Sequence, residues 1–256
     1  MCARYTLTPE QAKLVFGGLV HIFAFAPRYN IGPTQRVPVI LNTAGGIQAV
    51  DMRWGIPSTW SKTLHINAQA ERITEARTFK PLLGQRCLVP MDGFYEWKPD
   101  KSPVRFVRPG RELFCVAGLW KADAQEHRPQ EWERDRENQA ENLLAAPTVE
   151  KIQGQVPNLI TDYSRPGQGA AGCPGTFVLL TTAANASVTP IHNRMPFIVR
   201  ESQYDRWLES SEIGLLNSEL LSEDRLDWYP VSREVNKVRA ESPDLVRPVE
   251  AERELF

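Results

Sequence analysis

Apolar positions recur along this chain in short runs punctuated by Gly, Pro and Asn. The runs are Val37–Leu41, Ile47–Trp54, Cys87–Met91, Phe94–Trp97, Val104–Val107, Leu113–Trp120, Phe177–Thr182 and Pro196–Val199. Their β-branched and aromatic content predicts strands, and Lys98-Pro99-Asp100-Lys101-Ser102 reads as the connection between two neighbours. Helix signals are few. Thr8-Pro9-Glu10-Gln11 offers an N-cap, a proline at the first helical position and a capping-box Gln, which predicts a helix after Thr8. Ser202 is expected to cap a second helix over Gln203–Leu208. The pattern predicts a single α+β domain spanning 1–256, built around an antiparallel or mixed sheet.

Residues 121–174 break the pattern. They run from KADAQEHRPQEWERDRENQAENLL into SRPGQGAAGCPG, which reads as a polar insertion between two strands. A solvated helix with a floppy return is the default, because a charge-rich segment buries too little apolar area to order itself. A lid or partner-binding segment is the alternative. The stretch Leu14–Ala26 imitates a secretory leader, ending in Ala-Phe-Ala. Glu10 and His21 sit badly in such a leader, and the stretch is too short to span a membrane.

With 256 residues and 29.0 kDa the chain is long enough to bury a substantial core. The cysteines at 2, 87, 115 and 173 form no CxxC pair and no metal-ligand spacing, which argues against zinc and a secreted disulfide framework, and for a reducing compartment. Net charge is −1, yet residues 1–120 carry 15 Lys+Arg against 8 Asp+Glu, and the remainder 15 against 23. A basic face in the first half follows if the halves do not interleave. There is no HExxH, P-loop or dinucleotide-type glycine pattern, so neither metal nor organic cofactor is implied.

The chain opens Met1-Cys2-Ala3-Arg4-Tyr5. Removal of Met1 would leave Cys2 with a free α-amine beside its thiol. Such an amine has a pKa of about 7.7 to 8.0 against about 10.4 for lysine, so at neutral pH it is far more often an unprotonated nucleophile. With an aldehyde the amine forms an imine and the thiol closes a five-membered thiazolidine, an intramolecular attack helped by an effective molarity on the order of 10⁵ M or more. The plain reading is an initiator Met followed by a small residue.

Four segments combine polar groups with structural punctuation: Met1–Tyr5, His65-Ile66-Asn67-Ala68, Asp92-Gly93-Phe94-Tyr95-Glu96-Trp97 and Ile191-His192-Asn193-Arg194-Met195-Pro196. Taken singly each has an ordinary explanation: Glu96 as the outward member of a half-buried strand, His192 as a loop residue. Together with Arg28-Tyr29-Asn30-Ile31-Gly32-Pro33 and Pro230-Val231-Ser232, in this order, they resemble the SOS response-associated peptidase (SRAP) family. The resemblance spans nearly the whole chain apart from the insertion. It implies a barrel-like sheet core, and a sensor of abasic sites in single-stranded DNA that forms a thiazolidine crosslink through Cys2, with associated lyase activity and self-removal of Met1.

The roles implied by the resemblance agree with what the side chains can do. Cys2 would be the covalent nucleophile, Asn67 would hold the amine or a sugar hydroxyl, Glu96 would move protons if its surroundings raise its pKa, and His192 would shuttle a proton at the sugar oxygen. Arg4, Arg77, Lys80 and Arg194 match positions expected to face phosphates. Trp60, and alternatively Trp97 and Tyr29, would stack on bases, with aromatic core as the competing reading. Two positions depart from the family: Ala3 replaces a usual glycine, and Gln69 stands where arginine commonly follows Asn-Ala. Two further readings remain open, a thiol peptidase using Cys2, Glu96 and His192, and a non-catalytic single-strand binder. The expected partner is abasic single-stranded DNA, with no membrane and no metal. The expected location is cytoplasmic, nucleoid-associated when bound, and a monomer is the default oligomeric state.

Overall fold

The structure is a computed structural model that describes residues 2–58, 60–122, 159–161, 175–209, 221 and 225–249. Seventeen strands carry it. The first half holds β1 Tyr5–Leu7, β2 Gln11–Phe16, β3 Leu19–Ala24, β4 Arg28–Ile31, β5 Arg36–Thr43, β6 Gly46–Trp54, β7 Ile56–Pro57, β8 Leu64–His65 and β9 Asn67–Gln69. Then come β10 Arg86–Met91, β11 Gly93–Trp97, β12 Pro103–Val107, β13 Phe114–Ala122, β14 Leu159–Thr161, β15 Gly175–Ala183, β16 Arg194–Pro196 and β17 Asp227–Pro230. Among the described residues α1, Tyr204–Glu209, is the one α-helix.

The domain has a barrel-like centre. Strand β13 pairs with β10, β10 with β5, β5 with β6, β6 with β15, and β15 returns to β13, so five strands close a ring. Closure removes the unpaired edges that an open sheet presents. Strands β9 and β16 attach to β15. A second, antiparallel sheet runs β17-β12-β11-β1-β4 and sets β1 between β11 and β4. Both halves of the sequence contribute to both sheets, so the charge asymmetry marks no boundary between domains.

The ring is filled as its sequence predicts. Strand β10 is buried at all six positions, and Leu88, Val89, Val116, Ala117, Phe177 and Leu179 are sealed from water. Each fully buried Leu, Val or Phe contributes roughly 1.5–3 kcal/mol of transfer free energy. Seven of the eight apolar runs lie on strands, and the last, Pro196–Val199, only begins on one. Strand β16 ends at Pro196, and Ile198 and Val199 form isolated bridges to Val116 and Leu221.

The helix predicted after Thr8 is not there. Gln11–Phe16 alternates exposed and buried, and pairs antiparallel with Leu19–Ala24 from Gln11↔Ala24 to Phe16↔Leu19. The two residues between, Gly17 and Gly18, have φ of 57° and 75°, which suits the tight turn of a hairpin. The Gly-Gly turn and the two-residue alternation outweigh the capping signal. The leader-like stretch is therefore hairpin, with Leu14, Phe16, Phe23 and Phe25 buried in the core. Ser202 is likewise not a cap: a 3-10 turn, Glu201–Gln203, leads into α1, and Arg200 at its N-cap makes no side-chain capping bond.

Most of the 121–174 insertion lies outside the described residues, and the expected helix and floppy return fall there. Lys121 and Ala122 still belong to β13, while Leu159–Thr161 pairs parallel with β3. No helix among the described residues is long and apolar enough to cross a membrane.

Candidate functional site

The chain start is fastened before any chemistry is considered. Tyr5 pairs with Phe94 of β11 and with Ile31 of β4. The Tyr95 amide donates to the Arg4 carbonyl at 2.9 Å, and the Asp92 amide to the Thr6 carbonyl at 3.1 Å. Beneath this strand Arg105, 2% exposed, forms a 2.8 Å ion pair with Asp92, 3% exposed. Thr6 Oγ1 donates to Asp92 at 2.7 Å and accepts from Arg105 Nη2 at 2.8 Å. Arg105 Nη1 reaches the Tyr229 hydroxyl at 2.7 Å, and Thr8 closes the cluster by donating from Oγ1 to Asp92 Oδ2. Such a pair is tolerated in a dry interior because each charged atom is hydrogen-bonded. Gly93 is required here, since a Cβ would lie 2.7 Å from the Phe106 carbonyl oxygen and 2.8 Å from Arg105 Nε.

Cys2 therefore extends from a strand held on both sides, and its side chain is fully buried. Its carbonyl accepts a 2.7 Å hydrogen bond from Asn67 Nδ2, while Sγ donates to the Arg4 carbonyl at 3.6 Å. Burial pushes the Cys2 thiol well above its ordinary value, and the negative charge of Glu96 adds to the shift. Asn67 opens β9, which lies parallel to β15 with Asn67 opposite Leu179. The Asn67 Oδ1 atom is buried and accepts no hydrogen bond among the described residues.

Glu96 is 3% exposed on β11, so it is not the outward residue of a half-buried strand. Burial raises its carboxyl to about 7, against an attraction to the positive amino terminus that pulls the value down. His192 lies in the loop between β15 and β16. Its Nδ1 faces both the amide and the carbonyl oxygen of Arg194, at 3.0 and 3.1 Å, which holds the ring in place. Burial lowers its pKa, and the amino-terminal charge lowers it further. Asn67 thus touches the chain start, Glu96 acts electrostatically on Cys2, and His192 feels the amino-terminal charge. These residues offer a hydrogen-bonding amide at the Cys2 carbonyl, a buried carboxyl raised toward neutrality and an imidazole within the field of the amino terminus.

The cations and aromatics divide into two groups. Trp60 is 79% exposed, and with Arg77, Thr78 and Lys121 it lines a cavity of about 230 Å³, with Lys80 exposed nearby in sequence. Arg4 is half-buried and donates from Nη1 to Asn30 at 3.0 Å. Arg194 differs. Its guanidinium grips Glu71 through two bonds of 3.0 and 2.8 Å and donates to the Thr181 carbonyl at 2.7 Å, so its fork is occupied within the protein. Trp97 packs with Tyr95, Val231 and Val235 and donates to Asn236 at 2.7 Å, and Tyr29 gives its carbonyl to the Tyr95 hydroxyl at 2.8 Å. Trp97 thus sits within the packing around β11, and Tyr29 is half-buried on β4.

Sequence reasoning missed the supporting residues. Glu71 stands four positions after Asn67, and besides Arg194 it accepts from the Thr182 hydroxyl at 3.1 Å and the Ala183 amide at 3.2 Å. It ties the Asn67 segment to the hairpin that carries His192. Asn30 was visible only as a letter of a motif. The Asp92–Arg105 pair gave no signal, because its partners lie on different strands and an arginine in Val104–Val107 reads as solvent-facing.

Comparison with known proteins finds relatives along nearly the whole chain. The chain is 28% identical over 264 residues to Abasic site processing protein YoqW of Bacillus subtilis (strain 168), covering 96% of this chain and 99% of that one. It is 26% identical to Abasic site processing protein YedK of Escherichia coli (strain K12), over 87% and 85% of the two chains. It is 28% identical to Abasic site processing protein HMCES of Gallus gallus, over 88% of this chain and 67% of that one. Among solved structures, a protein from Bacteroides thetaiotaomicron superposes with a TM-score of 0.57 at 20% identity, over 86% and 85% of the chains. A phage-related protein from Bordetella bronchiseptica does so at 0.56 and 22% identity, over 90% and 94%. The family model described as "SOS response associated peptidase (SRAP)" matches residues 1–238, and the chain belongs to that family.

Proposed function

We propose that this protein processes abasic sites in single-stranded DNA by covalent capture through Cys2 once Met1 has been removed. The observation that supports the reading is a chain start fastened by β11 and β4, with Asn67 bonded to the Cys2 carbonyl and the buried Glu96 acting on the Cys2 thiol. The names of the relatives, abasic site processing proteins, support the substrate class.

The chemistry follows from the protonation states. In the chain that carries Met1 the Cys2 nitrogen is an amide, so Met1 must leave before that nitrogen can attack. The freed α-amine then adds to the aldehyde carbon of the ring-opened deoxyribose, and loss of water gives an imine. The buried thiol is protonated at neutral pH, so sulfur follows nitrogen. Its addition forms the carbon–sulfur bond and delivers the thiol proton to nitrogen, closing the five-membered ring. Glu96, titrating at about 7, is suited to carrying protons between these steps, and the His192 imidazole to exchanging a proton at the sugar oxygen. Asn67 Oδ1, buried and without a hydrogen-bond donor among the described residues, would accept from the new amine or a sugar hydroxyl. An imine at this carbon also acidifies the neighbouring position, which gives strand cleavage as an associated lyase outcome.

The test uses methionine-free protein and an oligonucleotide with one abasic site. A denaturation-resistant adduct is expected, and none with Cys2→Ala. Failure of the methionine-free protein to form any adduct, or an adduct undiminished by Cys2→Ala, overturns the reading; retained salt-sensitive binding would then favour a non-catalytic single-strand binder. A second reading, self-removal of Met1, is favoured by the buried Glu96 carboxyl whose charge acts on the Cys2 thiol. It predicts that Glu96→Ala and His192→Ala retain Met1 by intact mass in a host lacking methionine aminopeptidase activity on this chain.

A further inference from the structure

Arg4 and Asn30 are joined in a way that the chemistry at Cys2 does not require. Asn30 lies on β4, fully buried, at the edge of the five-stranded sheet beside β1. Its Oδ1 accepts from Arg4 Nη1 at 3.0 Å. Its Nδ2 faces three carbonyl oxygens of the C-terminal segment: Val235 at 3.3 Å, Lys237 at 3.1 Å and Ala240 at 3.0 Å. Three acceptors around one NH₂ group fix which end of the amide is which. The oxygen can point only at Arg4, and its acceptor strength is raised by the polarisation of the bonds behind it. On the other side the Arg4 side chain lies against Gly32, where a Cβ would meet Nε at 3.0 Å and Cζ at 3.4 Å.

We infer that Asn30 is a positioning residue, presenting the Arg4 guanidinium to a DNA phosphate two residues from the nucleophile. This rests on the single-stranded DNA reading above. An arginine side chain loses considerable rotamer freedom when it is ordered, so a guanidinium held before the ligand arrives retains more of its binding energy. Asn30 takes one end of the fork. Among the described residues no hydrogen bond engages Arg4 Nη2 or Nε, whereas Glu71 holds both ends of Arg194. Aspartate at position 30 would replace the donor with a carboxylate facing three carbonyl oxygens. Asparagine alone among residues of this size satisfies both sides.

The test is the salt dependence of binding to undamaged single-stranded DNA, read by fluorescence anisotropy. Each phosphate contact on a single strand contributes about 0.7 to the slope of log K against log salt. Arg4→Ala and Asn30→Ser are each expected to lower the slope by about 0.7 relative to the parent, and the double variant by no more than either alone. Gly32→Ala presses on Arg4 from the opposite face and is expected to lower it as well, which keeps the test decisive if Asn30→Ser fails to fold. A folded Asn30→Ser with the parental slope, or additive losses in the double variant, overturns the inference. So does a parental slope in Gly32→Ala when Asn30→Ser does not fold. A parent protein with no salt-sensitive binding overturns it together with the DNA reading, and that outcome is recognisable because it needs no variant.

Discussion

The side-chain amide of Asn67 donates a 2.7 Å hydrogen bond to the carbonyl oxygen of Cys2, 65 residues away in the chain. Through it the parallel pair β9–β15 of the ring-bearing sheet holds the start of a strand that belongs to the other sheet. Asn67→Ala removes this bond and leaves the fold. A single net hydrogen bond of about 1 kcal/mol predicts that adduct formation slows roughly five- to tenfold. Single-turnover crosslinking measures it, and an unchanged rate would mean that β1 alone places Cys2.

Glu96 gives a stability signature whose sign can be worked out. Its carboxyl is raised from 4.5 to about 7, so the stability associated with its protonated form is fully present below 4.5 and is lost as pH rises through 7. Above that range the folded chain holds a buried carboxylate, at a cost of roughly 3 kcal/mol. Glu96→Gln in the Met1-bearing chain should therefore melt higher than the parent at pH 8.5, with the gap closing as pH falls toward 5. Thermal melts across that range decide it. A parallel pair of curves would show that Glu96 titrates as an ordinary carboxyl.

Glu71 and Arg194 make a partly exposed ion pair, for which a stability contribution of about 1 kcal/mol or less is expected. The larger effect of Glu71→Gln should be functional. Freed from a charged partner, Arg194 becomes available to phosphate and binding to single strands tightens, while the loop carrying His192 loosens and crosslinking slows. Affinity and adduct rate moving in the same direction would contradict this division.

The Asp92–Arg105 pair is the opposite case. Both groups are buried, so Asp92→Ala strands a charge, with an expected cost of about 3–5 kcal/mol. Chemical denaturation measures it, and a loss below about 1 kcal/mol would mean that water reaches the cluster.

Trp60 is exposed enough that Trp60→Ala should leave the melting temperature unchanged. If it stacks on a base, affinity for single strands falls by about 1–3 kcal/mol, or roughly five- to 150-fold. Unchanged affinity would assign the ring to another surface role.

The strands were legible because their signal is local: each apolar run carries its own pattern, and seven of the eight land on strands. Gln11–Phe16 shows where that fails, since the capping letters at Thr8 and the alternation that follows prescribe different structures, and the pairing with Leu19–Ala24 decides between them. Cys2, Asn67, Glu96 and His192 were nameable as an ordered set, but a bond such as that from Asn67 to Cys2 depends on contact between segments far apart in the chain. Arg194 marks the limit most clearly. Its letter suits a phosphate, but its two bonds to Glu71 exist only once β16 folds onto β15.

Chain ends ordinarily fray, yet here the opening residues form an inner plank of a sheet, flanked on either side and bolted from below. A purification tag fused ahead of Met1 would be expected to keep the Cys2 nitrogen an amide and to start next to a side chain that is fully buried. Untagged or C-terminally tagged protein is thus the material on which any assay should begin, since seating β1 between β11 and β4 fixes where the front of the polypeptide lies.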